Sequence, residues 1–158
     1  MSTNLLVALA AFVALTFSAA GIASAFTAHS VHTWYTTLRK PPGTPRASWF
    51  GPLWTAQYFL MTVAAWNVWR AGNGWSGASL AVTIFLIQLA LGAAWPAIFF
   101  GLRAPRLALV EIVVLWLGVL VTVISFWRIS AVSGALLIPY LAWITYAIYL
   151  NAAIWRLN

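Results

Sequence analysis

The chain has 158 residues and a net charge of +7, with no cysteine and a single acidic residue, Glu111. It is 64% hydrophobic and 6% charged, with a mean hydropathy of +0.94, more apolar surface than a soluble domain of this size hides. Thiolate chemistry, disulfides, cysteine metal sites, paired carboxylates and a Ser-His-Asp triad are therefore excluded. The basic residues sit at the ends of hydrophobic runs. Membrane orientation and anionic headgroups account for that placement, and nucleic acid does not.

Five hydrophobic runs predict an all-α integral membrane protein, a single domain of five transmembrane helices. They lie at about 4–28, 49–69, 75–100, 107–127 and 132–155, each near the ~20 residues that span a bilayer. They are long and continuous, unlike the short alternating strands of a barrel. In the first run, Ala23-Ser24-Ala25 looks like a signal-peptidase site. No Lys or Arg precedes it, and the apolar stretch exceeds the 7–15 residues of a signal core. The expectation is a retained first helix.

The first loop, 29–48, opens with His29 and His32, which read as solvated interfacial side chains rather than as metal ligands. It leads into the stretch from Trp34 to Trp54, which holds four of the seven prolines, three of the eight basic residues and three of the eleven tryptophans. Pro41, Pro42 and Pro45 fix φ and remove backbone donors. An ordered, non-helical lid is expected, stiff, aromatic and basic; an interfacial aromatic belt is the plainer alternative.

In the second run Trp54, Tyr58, Met61 and Ala65 share one helical face. Ala71-Gly72-Asn73-Gly74 reads as a turn. In the third run Gln88, Gly92, Trp95 and Phe99 line one stripe beside an internal Pro96. Ala90, Ala93, Ala94 and Ala97 give the same run a surface of small residues. That surface suits close helix approach, in a homodimer or within the bundle.

Glu111 lies about one turn inside the fourth run. An ionisable residue there is costly and a functional candidate by default. Snorkelling towards Arg103 or Arg106 is the favoured expectation. In the fifth run Tyr140, Trp143, Ala147 and Leu150 share a face with Asn151 beside it, and Pro139 is expected to kink the helix. Aromatic stripes of this kind either enclose a flat apolar ligand or simply pack helices.

Charge sets the orientation. Arg39, Lys40, Arg46, Arg103, Arg106 and Arg156 fall on one side and only Arg70 and Arg128 on the other. The first loop and the C-terminus are expected in the cytoplasm and the N-terminus outside.

Several pieces together carry a family resemblance: Trp34-Tyr35, Lys40-Pro41 followed by Pro45, then Trp54. Further on come Trp95 with Phe99-Phe100-Gly101, Ala108-Leu109-Val110-Glu111, and Ile138-Pro139-Tyr140-Leu141-Ala142-Trp143. From about Trp34 to the C-terminus the sequence resembles the tryptophan-rich sensory protein / translocator protein family. The resemblance implies a five-helix bundle, usually dimeric, in a bacterial cell membrane. It implies a pocket under the first loop for porphyrins and for benzodiazepine- or isoquinoline-type ligands. No cofactor is required, porphyrin being the ligand.

Trp54 and Trp143 match the two tryptophans tied to ligand contact and, in bacterial relatives, to light-dependent porphyrin breakdown. Trp34, Tyr35, Pro45 and Ala147 match other pocket positions; Tyr58, Trp95 and Tyr140 join them from the stripes. Porphyrin degradation and porphyrin or lipid transport are the rival activities. Gly92 stands where the family usually has a ligand-facing asparagine, Gly43 where many members have tryptophan, and Arg46 where they have a second proline. The family's cholesterol-recognition stretch fails, because Ala152 holds its tyrosine position and Tyr149 is too far from Arg156.

Overall fold

The computed structural model describes residues 3–158. Every regular element among them is helical: α1 (Thr3–Ser30), α2 (Trp34–Thr37), α3 (Ala47–Ala71), α4 (Trp75–Pro96), α5 (Pro105–Ile129), α6 (Ala131–Leu136) and α7 (Ile138–Leu157). Four stretches are long and apolar enough to cross a membrane: Asn4–Ser30, Trp75–Gly101, Pro105–Ile129 and Ala131–Leu157. The fifth expected run, α3, is 25 residues long but less apolar. Gln57, Asn67 and Arg70 break its hydrophobicity.

Prolines decide where the ladder changes. Pro96 brings no N–H, and beyond it the chain widens into a π-helical turn, Ala97–Gly101. Leu102 N–H then bonds the carbonyl of Ala97 at 2.9 Å, five residues back. Pro139 acts differently from the expected kink. The helix ends at Leu136 and a new one starts at Ile138, with Pro139 in its first turn. A proline there loses no intrahelical bond, whereas inside a helix it would. The 71–74 turn forms as expected, with Asn73 and Gly74 both at positive φ.

The core lies among α3, α4, α5 and α7. Met61, Phe85, Leu115, Phe126, Tyr140 and Ile144 are almost wholly buried. Close approach needs small residues at two points. A Cβ on Gly118 of α5 would lie 3.3 Å from Cβ of Gln88 on α4. One on Gly134 would strike Trp127, so α6 lies hard against the end of α5. Asn67 ties α3 to α6 by donating to the hydroxyls of Ser130 (3.0 Å) and Ser133 (2.9 Å).

α1 is held differently. At its N-terminal half, Thr16 and Thr62 hydroxyls meet at 2.6 Å and the Trp66 indole donates to the Leu5 carbonyl at 3.0 Å. At its C-terminal end, Ser30 donates to the Phe100 carbonyl at 2.9 Å. Between these ties α1 and α3 part.

Candidate functional site

Trp54, on the inner face of α3, is the hub. The edge of its ring system meets Trp143 of α7 at 6.4 Å between centroids and 89°, and Tyr140 at 6.2 Å and 67°. Tyr58, one turn on, lies tilted beside it at 6.0 Å. Edge-to-face packing at such distances adds about 0.5–1.5 kcal/mol per pair beyond area burial. Trp95 stacks on Phe99 at 5.0 Å, and Phe99 in turn meets Trp34 and Tyr35 of α2.

The Trp95 indole donates to Asn151 Oδ1 at 3.1 Å, and Asn151 Nδ2 donates to the Pro105 carbonyl at 2.7 Å. One buried amide thus fixes the ring of α4 and the start of α5 against α7. Sequence reasoning had placed Asn151 only beside its stripe. Its signal was a polar amide on an otherwise apolar face.

The first loop lies over this cluster. It is ordered as expected, but α2 gives it one helical turn. Tyr35 is buried beneath, and burial pushes its phenol up to about 12. The Lys40 ammonium sits 4.5 Å from the centre of its ring. Two ties close the lid: Tyr146 of α7 donates to the Gly43 carbonyl at 2.8 Å, and the Asn158 side chain brackets the backbone of Arg39. Gly43 has φ of +86°, and a Cβ there would lie 2.9 Å from the Tyr146 hydroxyl. The positive φ is the physical reason for glycine at this position.

Two cavities flank Trp54. The smaller, about 30 Å³, lies under the lid, with Tyr35, Trp54, Trp95, Trp143, Ala147 and Asn151 in its walls. Its volume matches about one water molecule, so a flat polycyclic ligand requires the rings to separate. The Trp143 indole N–H is buried without a hydrogen-bond partner. The larger, about 430 Å³, lies on the other side of Trp54, between α1 and α3. Phe50, Trp54, Trp95 and Phe100 are common to both.

The remaining expected residues divide. Trp34, Tyr58 and Tyr140 pack in the aromatic cluster without lining the smaller cavity. Pro45 lines neither cavity. Gly92 lines neither as well, and a Cβ on it would lie 3.2 Å from the Tyr140 hydroxyl. Ala90 is exposed, and Ala93, Ala94 and Ala97 are half-buried. The expected pairing of Glu111 is corrected: among the described residues it forms no ion pair, and both carboxylate oxygens are buried without a hydrogen-bond partner. Arg103 and Arg106 are exposed at the helix end, where water solvates a guanidinium better than an apolar helix face does. No group of three metal-binding side chains occurs among the described residues, and His29 and His32 are exposed. The wall from α1 was missed. The first run reads only as a retained helix.

Apolar helices around an aromatic cluster fit an integral membrane protein. The sequence profile of the TspO/MBR family matches residues 11–156. The tryptophan-rich protein TspO of Chlorobaculum tepidum is 40% identical over 137 residues, 85% of each chain. The tryptophan-rich sensory protein of Cereibacter sphaeroides is 38% identical over 126 residues, 79% of this chain and 77% of that one. The human translocator protein is 35% identical over 126 residues, 79% of this chain and 75% of its own. The chain belongs to the TspO/MBR family.

Proposed function

We propose that the protein is a membrane receptor, or sensor, that binds porphyrins and benzodiazepine- or isoquinoline-type molecules beneath its first loop and so regulates tetrapyrrole levels. The observation that carries this reading is the meeting of Trp54 and Trp143 under a lid, with an unpartnered indole donor in the wall. A porphyrin is a flat apolar ring with anionic propionates. The indoles supply stacking surface and N–H donors. Arg39, Lys40 or Arg46 would neutralise the propionates. A relative named as sensory supports the receptor reading.

Removing one aromatic wall costs about 1–3 kcal/mol, roughly 5- to 150-fold in affinity. Trp54→Ala and Trp143→Ala should each weaken protoporphyrin quenching by at least about fivefold on that scale. Trp116→Ala should not, because its indole lies outside both cavities and donates to Thr145. Equal losses from all three would mean nonspecific partitioning and would end the reading.

The second reading is light-dependent porphyrin degradation, favoured by the same adjacency of Trp54 and Trp143. Illumination with protoporphyrin that yields no altered bound product would exclude it.

In this reading α3 also crosses the bilayer, giving five spans with the first loop and C-terminus in the cytoplasm. A periplasmic signal from a reporter at Asn158 would refute it. The small-residue face of α4 serves a homodimer, with Ala90 and Ala94 exposed or half-exposed on it. A solubilised Ala94→Phe variant that remains dimeric would place the contact elsewhere.

A further inference from the structure

The larger cavity has the wrong chemistry for an anionic ring and the right chemistry for a hydrocarbon chain. Its α1 wall includes Phe17, Ala20, Ser24 and Thr27 at successive helical turns, and its α3 wall Gly51, Trp54 and Tyr58. Among the described residues no charged side chain lines it. The Thr27 and Thr55 hydroxyls already donate to their own helices, to the carbonyls of Ala23 and Gly51. The polar side-chain atoms left to an occupant are those of Ser24, Trp54 and Tyr58, and the rest of the wall asks no polar group of it.

The cavity is open to the side. Gly21, Ser24, Ala28, Gly51 and Thr55 in its walls are exposed. Elsewhere on the same helices, Ile22 and Phe26 of α1 and Phe59 of α3 are exposed apolar side chains, the kind of surface that meets hydrocarbon in a membrane-spanning chain. At 430 Å³ it falls in the range of ligand sites, about 300–1,000 Å³. Its loop end is bounded by Val31 and Ala47, and the next residue, Arg46, is exposed.

We propose that this cleft is a lipid site. It takes one acyl chain of an anionic phospholipid from the bilayer, lying between α1 and α3, with the headgroup phosphate at Arg46. The chain lies against the face of α3 that carries Trp54. A seated chain therefore props Trp54 towards Trp143 and holds the small cavity shut.

The test uses the full-length protein in phosphatidylcholine vesicles containing a minor fraction of phosphatidylglycerol with a diazirine midway along one chain. After illumination, labelled peptides are mapped. The exposed face of α5, with Val110, Val113 and Leu117, reports ordinary annular lipid. Labelling of the cleft residues of α1 and α3 is expected roughly tenfold above that face. It should fall to the annular level in Gly21→Phe and in Gly51→Phe. Both glycines line the cleft and have no neighbour within 4 Å of a built Cβ, so a side chain can start there without displacing one. Gly21→Ala should keep the labelling, which guards against loss from misfolding.

The same photoprobe on phosphatidylcholine or on a free fatty acid should label the cleft less, as should the phosphatidylglycerol probe with Arg46→Gln. Cleft labelling equal to that of α5 and indifferent to Gly21→Phe would overturn the site. Equal labelling by all three probes would overturn its headgroup preference. Links between α1 residues of two copies in place of lipid labelling would give the cleft to a second chain and overturn the proposal. Protoporphyrin quenching by the same variants is read separately, so failure of the lipid site leaves the porphyrin reading standing or falling on its own.

Discussion

The two sides of Trp54 differ in how their space is used. Towards α7, rings fill it: Trp143 and Tyr140 pack edge to face on Trp54, Trp95 stacks on Phe99, and about 30 Å³ is left. Towards α1, alanines, glycines and Ser24 leave about 430 Å³. Backbone attachment follows the same division. α7 is tied to the lid by Tyr146 and Asn158 and to α4 and α5 by Asn151, while α1 is tied to α3 by Thr16 and Trp66 at one end only. A single tryptophan thus separates a closed site that must open from an open site that needs no motion. Bulk alone did not decide this. The closed side has polar cross-links that hold its rings in register; the open side has none where the helices part.

The largest test of that contrast is Asn151→Leu. It leaves the Trp95 indole without a partner and removes the cross-link to the Pro105 carbonyl. An unsatisfied buried group costs roughly 1–3 kcal/mol. The solubilised protein should unfold at lower temperature, and protoporphyrin affinity should fall, while lipid labelling between α1 and α3 changes little. Unaltered stability would mean that the rings hold themselves in register.

Tyr146→Phe should act more weakly. It removes the hydroxyl that donates to Gly43 and leaves the ring, a loss of about 0.5–1.5 kcal/mol. Ligand dissociation should speed up by roughly 2- to 10-fold, with the unfolding temperature nearly unchanged. A release rate equal to that of the wild type would show that the lid does not gate the closed side.

The contrast itself was only half legible in the chain. The long apolar runs, the 71–74 turn and the meeting of Trp54 with Trp143 follow from period, glycine placement and family resemblance. The closed state of the pocket does not, because ring orientation depends on cross-links such as Trp95–Asn151 between residues 56 positions apart. Nor does the cleft. Ala20, Gly21, Ser24 and Ala28 are the residues that let helices touch, and their small size alone does not say that α3 leaves space beside them. Pro139 misled for a related reason: a proline marks a break in the ladder, and tertiary packing decides whether the chain kinks or restarts.

The smallest expected effect is at Glu111, and its sign matters more than its size. On the expectation of an ion pair, Glu111→Gln would lower stability by breaking it. Among the described residues there is no such pair to break. Both carboxylate oxygens lie in shielded positions without a donor, on a helix whose neighbouring Val110, Val113 and Val114 are exposed apolar side chains. A shielded carboxylate without a partner stabilises nothing when ionised, and its desolvation opposes folding. An amide of the same shape removes the ionisable group and leaves the packing. Glu111→Gln should therefore hold or raise the unfolding temperature of the solubilised protein. Porphyrin affinity should stay within about threefold, below the tenfold of ~1.4 kcal/mol, because Glu111 lines neither cavity. A drop in unfolding temperature would show that the carboxylate has a stabilising partner in the membrane. A tenfold loss of affinity would extend the closed site past Tyr140 to α5, and the boundary drawn here at the aromatic cluster would be wrong.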